Sequence, residues 1–305
     1  MKIKELDMFN GSYHDSFCEI YNMIGYETEQ LFKKYHSDFI NDIKSYQRII
    51  IHKAVKTIFT LYKVISDLKD YNSAGALIRV IADNLSSYNL IYHETDEEKK
   101  LLRHYLFILD GLSKRLKLFC NHTPKYDGKI SVEDYDILYN KVANAQDNTI
   151  KSIDFCKEQI HNLDLYQKHR NSIDTYLKNG NWKFSDFNKP KDKYPWSALY
   201  KKLGINDTLP DIFGFLSQYV HGLSISNLII DLNDDELFEP YYSYGIVMLN
   251  IVRNFIENDF GMSRKELLNG FEKTTLFKDF YMCLSEDYKR KAMEIIENSK
   301  NNTAI

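Results

Sequence analysis

Glycine and proline are scarce in this chain: 12 glycines and 5 prolines make up about 6% of its 305 residues, against about 12% in average proteins. Folds rich in β-sheet need a turn every few residues and draw heavily on both residue types. The shortage therefore excludes most β-rich architectures and predicts a mainly helical protein.

Cysteines are few as well, and Cys18, Cys120, Cys156 and Cys283 lie far apart with no paired spacing. This excludes a zinc knuckle and a dense disulfide framework, and we expect reduced thiols in the cytoplasm. The sequence also lacks an H-E-x-x-H zinc helix, a Gly-rich phosphate loop that opens a helix and a G-x-S-x-G nucleophile elbow. We therefore expect no metal and no cofactor, and neither nucleotide hydrolysis nor ordinary esterase chemistry.

Long apolar runs are missing. The N-terminal segment MKIKELDMFNGSYHDS has no apolar core, and no stretch of 18 residues is free of charged and strongly polar side chains, so we expect neither export nor a membrane partner. The net charge is only -3, from 40 basic and 43 acidic residues. Nucleic acid binding would consequently depend on a local basic patch.

What the sequence does contain is helical periodicity. Apolar residues recur at steps of three and four over residues 12–70, which predicts two long helices packed as a hairpin. Asn72 or Ser73 can cap a third helix, Asp96 a fourth that runs to about residue 121, and Ser131, with Asp134 three residues on, a fifth that reaches about residue 162.

The stretch from 179 to 210 differs in composition, because it holds three of the five prolines and both tryptophans. We interpret it as an irregular insertion between helices. Further helices are expected over about 209–221 and 236–258, and a pair over 263–299. The fold class predicted is an all-α multi-helix bundle with long antiparallel helices, in a single domain over residues 1–305.

An arginine and an aspartate share one face of the third predicted helix. Arg79 and Asp83 are spaced i to i+4 in a segment that is apolar nearly all round, which indicates that both are buried or half-buried. The pair is either a structural ion pair or a clamp for an anionic group such as a phosphate, which the planar donors of arginine suit.

A histidine ends the run Ser217 to His221. The face that carries His221 otherwise consists of the small residues Gly214, Ser217 and Ser224, so a helix or a ligand could approach the imidazole closely. His221 is either a structural hydrogen-bonding residue or a general acid or base.

These segments carry a resemblance. The runs ALIRVIADNLSSYNLIYHETDEEKKLLRHYLFILDGL, NWKFSDF, SALYKKLGI and LSQYVHG follow one another in the chain. They resemble a widespread family of uncharacterised bacterial helical proteins with an R-x-x-x-[DE] helix and an S-x-Y-V-H motif, over about residues 40–260, with the C-terminal helices as an extension. The resemblance implies an all-helical fold distantly similar to HEPN domains, some of which are metal-independent ribonucleases of toxin and phage-defence systems. It carries over Arg79, Asp83 and His221 as site residues, although the family more often has Glu where this chain has Asp83.

The sharper HEPN signature is an arginine followed closely by a histidine. Arg115 and His122 come nearest to it, but they are seven residues apart and Leu116, not a polar residue, follows the arginine. We regard this pair as the less favoured catalytic candidate, with a solvated helix terminus as the default interpretation.

A local basic patch exists between residues 165 and 202, where nine basic residues stand against three acids and eight aromatics interleave with them. Such composition is typical of single-stranded nucleic acid sites. The alternative is that the aromatics fasten the insertion to the helical core. The candidate nucleic-acid-binding residues are Lys183, Lys189, Lys191, Lys193, Trp182 and Trp196.

The resulting hypothesis is a cytoplasmic bacterial HEPN-like protein of a defence or toxin system that binds or cleaves RNA. The resemblance also implies a homodimer, because HEPN sites often form across two subunits. The rival hypotheses are a non-catalytic interaction or scaffold protein, in which Arg79, Asp83 and His221 lock three helices together, and a small-molecule sensor with a pocket between helices.

Overall fold

The computed structural model describes residues 13–205 and 239–262, together with the single positions 214, 217 and 290. The described part is 79% helical, with eight helices and no β-strand. This confirms the predicted all-α multi-helix bundle. None of the described helices combines the length and apolar content that crossing a membrane requires.

The chain divides into two compact units, the first formed by Met1–Ser87 with Tyr200–Ile305 and the second by Tyr88–Leu199. Compact units of this size also occur inside single domains, so the single-domain expectation stays a prediction. The helices, in chain order, are α1 (Tyr13–Lys34), α2 (Ile43–Lys63), α3 (Tyr71–Tyr92), α4 (Glu97–Asn121), α5 (Val132–His161), α6 (Asp164–Asn179), α7 (Trp196–Leu203) and α8 (Glu239–Phe260).

Side-chain caps fix the beginnings of several helices. The predicted caps of α4 and α5 are confirmed: Asp96 accepts a hydrogen bond from the Lys99 amide at 3.1 Å, and Ser131 accepts one from the Asp134 amide at 3.0 Å. These acceptors satisfy amides that have no partner inside the first helical turn.

The predicted cap of α3 is wrong. Asp70, rather than Asn72 or Ser73, accepts from the Ser73 amide at 3.1 Å. The reason lies just upstream, where a short π-helix (Val64–Leu68) continues α2 and ends at Lys69 in a left-handed conformation, with φ of 54°. The reversal at Lys69 lets the next helix start directly after Asp70, whose negative charge also suits the amide end of a helix.

The first unit has a three-helix core, in which α1, α2 and α8 pack pairwise against one another. Each helix contributes an apolar stripe to it, with residues such as Phe17, Ile24, Ile51, Ile58 and Phe255 buried. The predicted hairpin of two long helices is α1 with α2, and the helix expected over 236–258 is α8. The helices expected over 209–221 and 263–299 lie outside the described residues.

Glycine lets α1 and α8 approach each other closely. A Cβ added at Gly245 would lie 2.1 Å from Cε2 of Phe17, a separation that real atoms do not show. Phe17 is itself fully buried. The absence of a side chain at Gly245 is therefore a packing requirement of this unit.

In the second unit, α4 packs along α5 as a hairpin and α6 contacts both. Buried residues such as Leu102, Leu106, Ile153 and Ile160 form the core of this unit.

The irregular insertion predicted over 179–210 is only partly correct. Trp196–Leu203, which contains neither glycine nor proline, forms the helix α7 inside that range, and residues 206–210 lie outside the described residues. The irregular part observed is the segment from Gly180 to Pro195. The insertion is held by its own polar contacts. The side-chain amide of Asn181 donates to the backbone carbonyls of Pro190 and Asp192, and the backbone amide of Tyr194 donates to the Lys183 carbonyl at 2.8 Å.

Substitution of Gly245 by alanine tests the packing of α1 against α8. We expect Gly245→Ala to lower the free energy of unfolding by about 1 to 3 kcal/mol, since a buried ring must move aside. The matched control is Gly25→Ala in α1, where no atom lies within 4 Å of the new Cβ. It should raise stability by about 0.5 to 1 kcal/mol, because alanine favours the helix. Equal urea midpoints for the two variants would contradict the account.

Candidate functional site

The first unit brings together Arg79, Asp83 and a residue that sequence reasoning missed, Tyr200. Arg79 and Asp83 lie one turn apart on α3, and their Nε and Oδ1 atoms are 3.5 Å apart. The Tyr200 hydroxyl, on α7, donates a hydrogen bond to Oδ1 of Asp83. The guanidinium carbon of Arg79 lies 4.8 Å from the centroid of the Tyr200 ring. Asp83 thus orients both partners, and the ring supports the guanidinium from one face.

Burial differs among these three side chains. Tyr200 is 2% exposed, whereas the Arg79 side chain is 16% exposed and Asp83 is half-buried. Burial, followed by the hydrogen bond and charge of Asp83, raises the pKa of Tyr200 far above its usual value. The phenol therefore stays protonated and remains a donor to Asp83 over the whole physiological range.

Chemically, this cluster presents the planar donor group of Arg79, with contacts to Asp83 and Tyr200 that hold its orientation. An arginine whose position is set by a carboxylate and an aromatic ring is suited to hold a phosphate oxygen, because little rotamer freedom remains to be lost on binding. Arg79, Asp83 and Tyr200 each also make interactions beyond those described above. His221, the third predicted site residue, lies outside the described residues.

The second unit contains a more deeply buried arginine that the sequence did not single out. Arg103 on α4 is 3% exposed and pairs with Glu94. Its guanidinium also donates to the carbonyls of Leu90 and Phe184, both at 3.3 Å, and lies 4.7 Å from the Phe184 ring centroid. Arg103 therefore joins the insertion to α4 and to the last turn of α3.

Burial lowers the pKa of Arg103, while the Glu94 carboxylate acts in the opposite direction. The side chain points into the protein, where backbone oxygens and a ring surround it. A local signal for this residue did exist: Arg103 and His104 lie within the run L-L-R-H-Y-L, where a charged residue at a helical core position indicates a buried partner. We assign it a structural role.

Neighbouring His104 is fully buried and makes a hydrogen bond of 3.0 Å between its Nδ1 and the Tyr92 hydroxyl. The histidine is thereby held within the helical packing of this unit, and a structural role accounts for it.

The aromatic residues of the basic insertion face the helices more than the solvent. Trp182 is buried, with its ring edge-on to Phe107 at a centroid distance of 5.1 Å. Trp196 is half-buried and lies under the Lys183 ammonium, 4.1 Å from the ring centroid.

Three of the candidate lysines of the insertion, by contrast, are exposed: Lys189, Lys191 and Lys193. These contacts support the interpretation that much of the aromatic content fastens the insertion to the helical core. They leave the exposed lysines as the part of the insertion that is available to an anionic partner.

Arg115 and His122 lie at the exposed end of α4. The Arg115 guanidinium stacks on the Phe119 ring of its own helix at 5.2 Å, and His122 is the C-terminal cap residue. His122 Nδ1 is 2.9 Å from the Leu118 carbonyl, so it donates there and helps to end the helix. No hydrogen bond or salt bridge joins Arg115 to His122 in the described part of the chain.

Within the described residues, no group of three or more histidine, cysteine, aspartate or glutamate side chains is placed to hold a metal ion. Among the cysteines, Cys18, Cys120 and Cys156 are free thiols, and burial raises the pKa of Cys156 to about 12.

Comparison with known proteins adds no relative: no family model, no curated protein and no solved structure matches the chain.

The bond from Tyr200 to Asp83 predicts a pH-dependent stability difference. At pH 7, Tyr200→Phe should lower the free energy of unfolding by about 1 kcal/mol, because a buried hydrogen bond is lost. Above pH of about 10 the unfolded wild type loses the Tyr200 proton, whereas the folded protein keeps it. The free energy of unfolding of the wild type therefore falls as the pH rises, and Tyr200→Phe lacks this fall because it has no phenol to titrate. Urea titrations at both pH values should therefore show the difference shrinking at high pH; a difference that stays constant would contradict this assignment.

The structural role of Arg103 is tested by Arg103→Met. We expect a loss of about 3 kcal/mol in the free energy of unfolding, since the variant removes the nearest cation from Glu94 and a donor from two backbone carbonyls. Lys99→Met is the matched control, because Lys99 Nζ lies 3.9 Å from the same carboxylate but is 29% exposed. Its loss should stay below about 1 kcal/mol. Similar losses in the two variants, measured by chemical denaturation, would rule out the special role of Arg103.

Proposed function

We propose that this protein binds RNA and that Arg79 is the residue that holds a phosphate of the bound strand. The observation that supports this most is the arrangement around Arg79: its guanidinium contacts both the carboxylate of Asp83 and the ring of Tyr200, and the side chain is still partly exposed. An orientation fixed in advance reduces the entropic cost of binding an anion.

In this proposal His221 completes a site for metal-independent RNA cleavage. As general base the histidine would take the proton of a ribose 2'-hydroxyl, whose oxygen attacks the adjacent phosphorus while the bond to the 5'-oxygen breaks. As general acid it would instead give a proton to the departing 5'-oxygen, and water would handle the other proton. Arg79 would stabilise the negative charge that develops on the phosphate, and Asp83 and Tyr200 would position Arg79. The order of the motifs around Arg79, Asp83 and His221 in the sequence supports this assignment, through the HEPN-like resemblance.

The exposed lysines of the insertion supply the second part of the proposal. Lys189, Lys191 and Lys193 alternate along the chain and are all exposed. Each of them can contact an RNA phosphate, a contact that does not depend on the nucleotide sequence. The further parts of the proposal, a cytoplasmic protein of a phage-defence or toxin system that is active as a homodimer, rest on the HEPN-like resemblance alone.

A specific observation also favours the rival, a non-catalytic protein in which the same cluster is structural. Tyr200 is almost completely buried, and its hydroxyl ties α7 to Asp83 of α3. Under this hypothesis Arg79 contributes only to the folding of the first unit.

The variant Arg79→Lys separates the two hypotheses, because it keeps the positive charge beside Asp83 but loses the planar donor group. We expect the melting temperature to stay within a few degrees of wild type. Affinity for a fluorescein-labelled single-stranded RNA should fall about tenfold or more, since a charge-assisted bidentate contact is replaced by a point charge. Growth inhibition in an inducible bacterial host, with fragmentation of total RNA, should be lost in parallel.

Arg115→Lys is the control, as Arg115 is an exposed arginine of α4, and it should leave RNA affinity and growth inhibition unchanged. Two results would overturn the proposal: an Arg79→Lys protein that binds RNA as wild type does, or one whose only defect is a large fall in melting temperature.

A further inference from the structure

A groove of about 290 Å³ lies in the second unit, between α4, α5 and the end of α6. Four lysines from three helices line it, Lys114 and Lys117 on α4, Lys157 on α5 and Lys178 on α6, and the one acidic side chain in its lining is Asp110. Groups of one sign around a concave surface focus the electrostatic field and concentrate ligands of the opposite sign. The groove is therefore a candidate site for an anion.

The internal ion pairs leave much of this positive charge available. Lys114 Nζ lies 2.7 Å from Asp110, so the single acid of the lining is already neutralised. Lys157 lies 3.9 Å from Asp154 on an exposed part of α5. Among the residues that the structure describes, no carboxylate is within salt-bridge distance of Lys117 or Lys178.

The lining of the groove also includes leucines. Leu106 and Leu109 of α4 are buried in the core of this unit, whereas Leu177 of α6 is only half-buried. Leu177 therefore offers apolar surface in the same groove as the lysines, and this combination suits a ligand that has a charged head and an organic body.

A glycine keeps the groove open at the end of α6. Gly180 has a φ of 61°, and a Cβ added there would lie 2.9 Å from Oδ1 of Asp110. A side chain at this position would therefore displace the carboxylate that Lys114 holds. The backbone conformation and the space both select glycine at this edge of the groove.

We propose that this groove binds one nucleotide unit, with its phosphate between Lys117, Lys157 and Lys178 and its organic part against Leu177. The volume of about 290 Å³ is close to the lower end of the range of small-molecule sites, about 300 Å³, which limits the ligand to about one such unit. The unit could be a free nucleotide or one residue of an RNA strand, since both present the same phosphate and sugar. The groove belongs to the second unit and Arg79 to the first. The proposal for the groove therefore does not rest on RNA cleavage at the Arg79 site.

The test titrates the full-length protein with adenosine monophosphate and, in a second arm, with a single-stranded decauridylate, by isothermal titration calorimetry. The double variant Lys117→Gln with Lys178→Gln should weaken binding about tenfold or more, as two charge-assisted contacts are lost. The control is Lys129→Gln with Lys151→Gln, two exposed lysines of the same unit that pair with neighbouring aspartates. It should change affinity less than about twofold, because neither lysine lines the groove, and the loss of exposed ion pairs costs little stability. Melting temperatures of both variants verify folding.

The two arms identify the source of the nucleotide unit. Binding of adenosine monophosphate alone assigns a free nucleotide, whereas decauridylate binding that depends on Lys117 and Lys178 assigns a residue of RNA. Wild-type protein that binds neither probe at millimolar concentration would overturn the proposal, and so would a groove variant that binds like the control. Arg79→Lys should leave adenosine monophosphate binding unchanged, so failure here is distinguishable from failure of the first-unit site.

Discussion

A guanidinium group that leaves water must keep its charge compensated, and each unit meets this requirement with a carboxylate and an aromatic ring. In the first unit Asp83 and Tyr200 surround Arg79, and in the second Glu94 and Phe184 surround Arg103. The chemistry is the same, but the exposure is not. Two guanidinium nitrogens of Arg103 donate to backbone carbonyls inside the protein, whereas the side chain of Arg79 is partly exposed to solvent. This difference is why one arginine is assigned to structure and the other to binding.

The helices themselves follow from local information in the sequence. Apolar periodicity located α1 and α2, and the acceptors Asp96 and Ser131 marked the starts of α4 and α5, because capping depends on residues three positions apart. The predicted start of α3, at Asn72 or Ser73, is two or three residues too late. The observed cap, Asp70, has the same three-residue spacing to Ser73, but the preceding turn hides it in the sequence. The left-handed turn at Lys69 depends on a π-helical end of α2, which has no simple sequence pattern.

The candidate sites were only partly predictable, because their geometry depends on distant residues. Arg79 and Asp83 were found through their i to i+4 spacing, but Tyr200 lies 117 positions after Asp83 and no local pattern connects them. Similarly, the basic composition of the insertion predicted an anion site around Trp182 and Trp196. That site stays a prediction. The proposed groove has lysines from three helices, Lys117, Lys157 and Lys178, and only the packing of these helices brings the lysines to one surface.

Hydrogen–deuterium exchange of the full chain, with and without a saturating single-stranded RNA, is the most direct test of whether Arg79 holds RNA. The account predicts slower exchange upon binding in peptides that cover residues 76–86 of α3 and the second turn of α7, which begins at Tyr200, because a bound phosphate restrains the cluster. Unchanged exchange in those peptides, with RNA demonstrably bound, would contradict it and would place the RNA elsewhere on the protein.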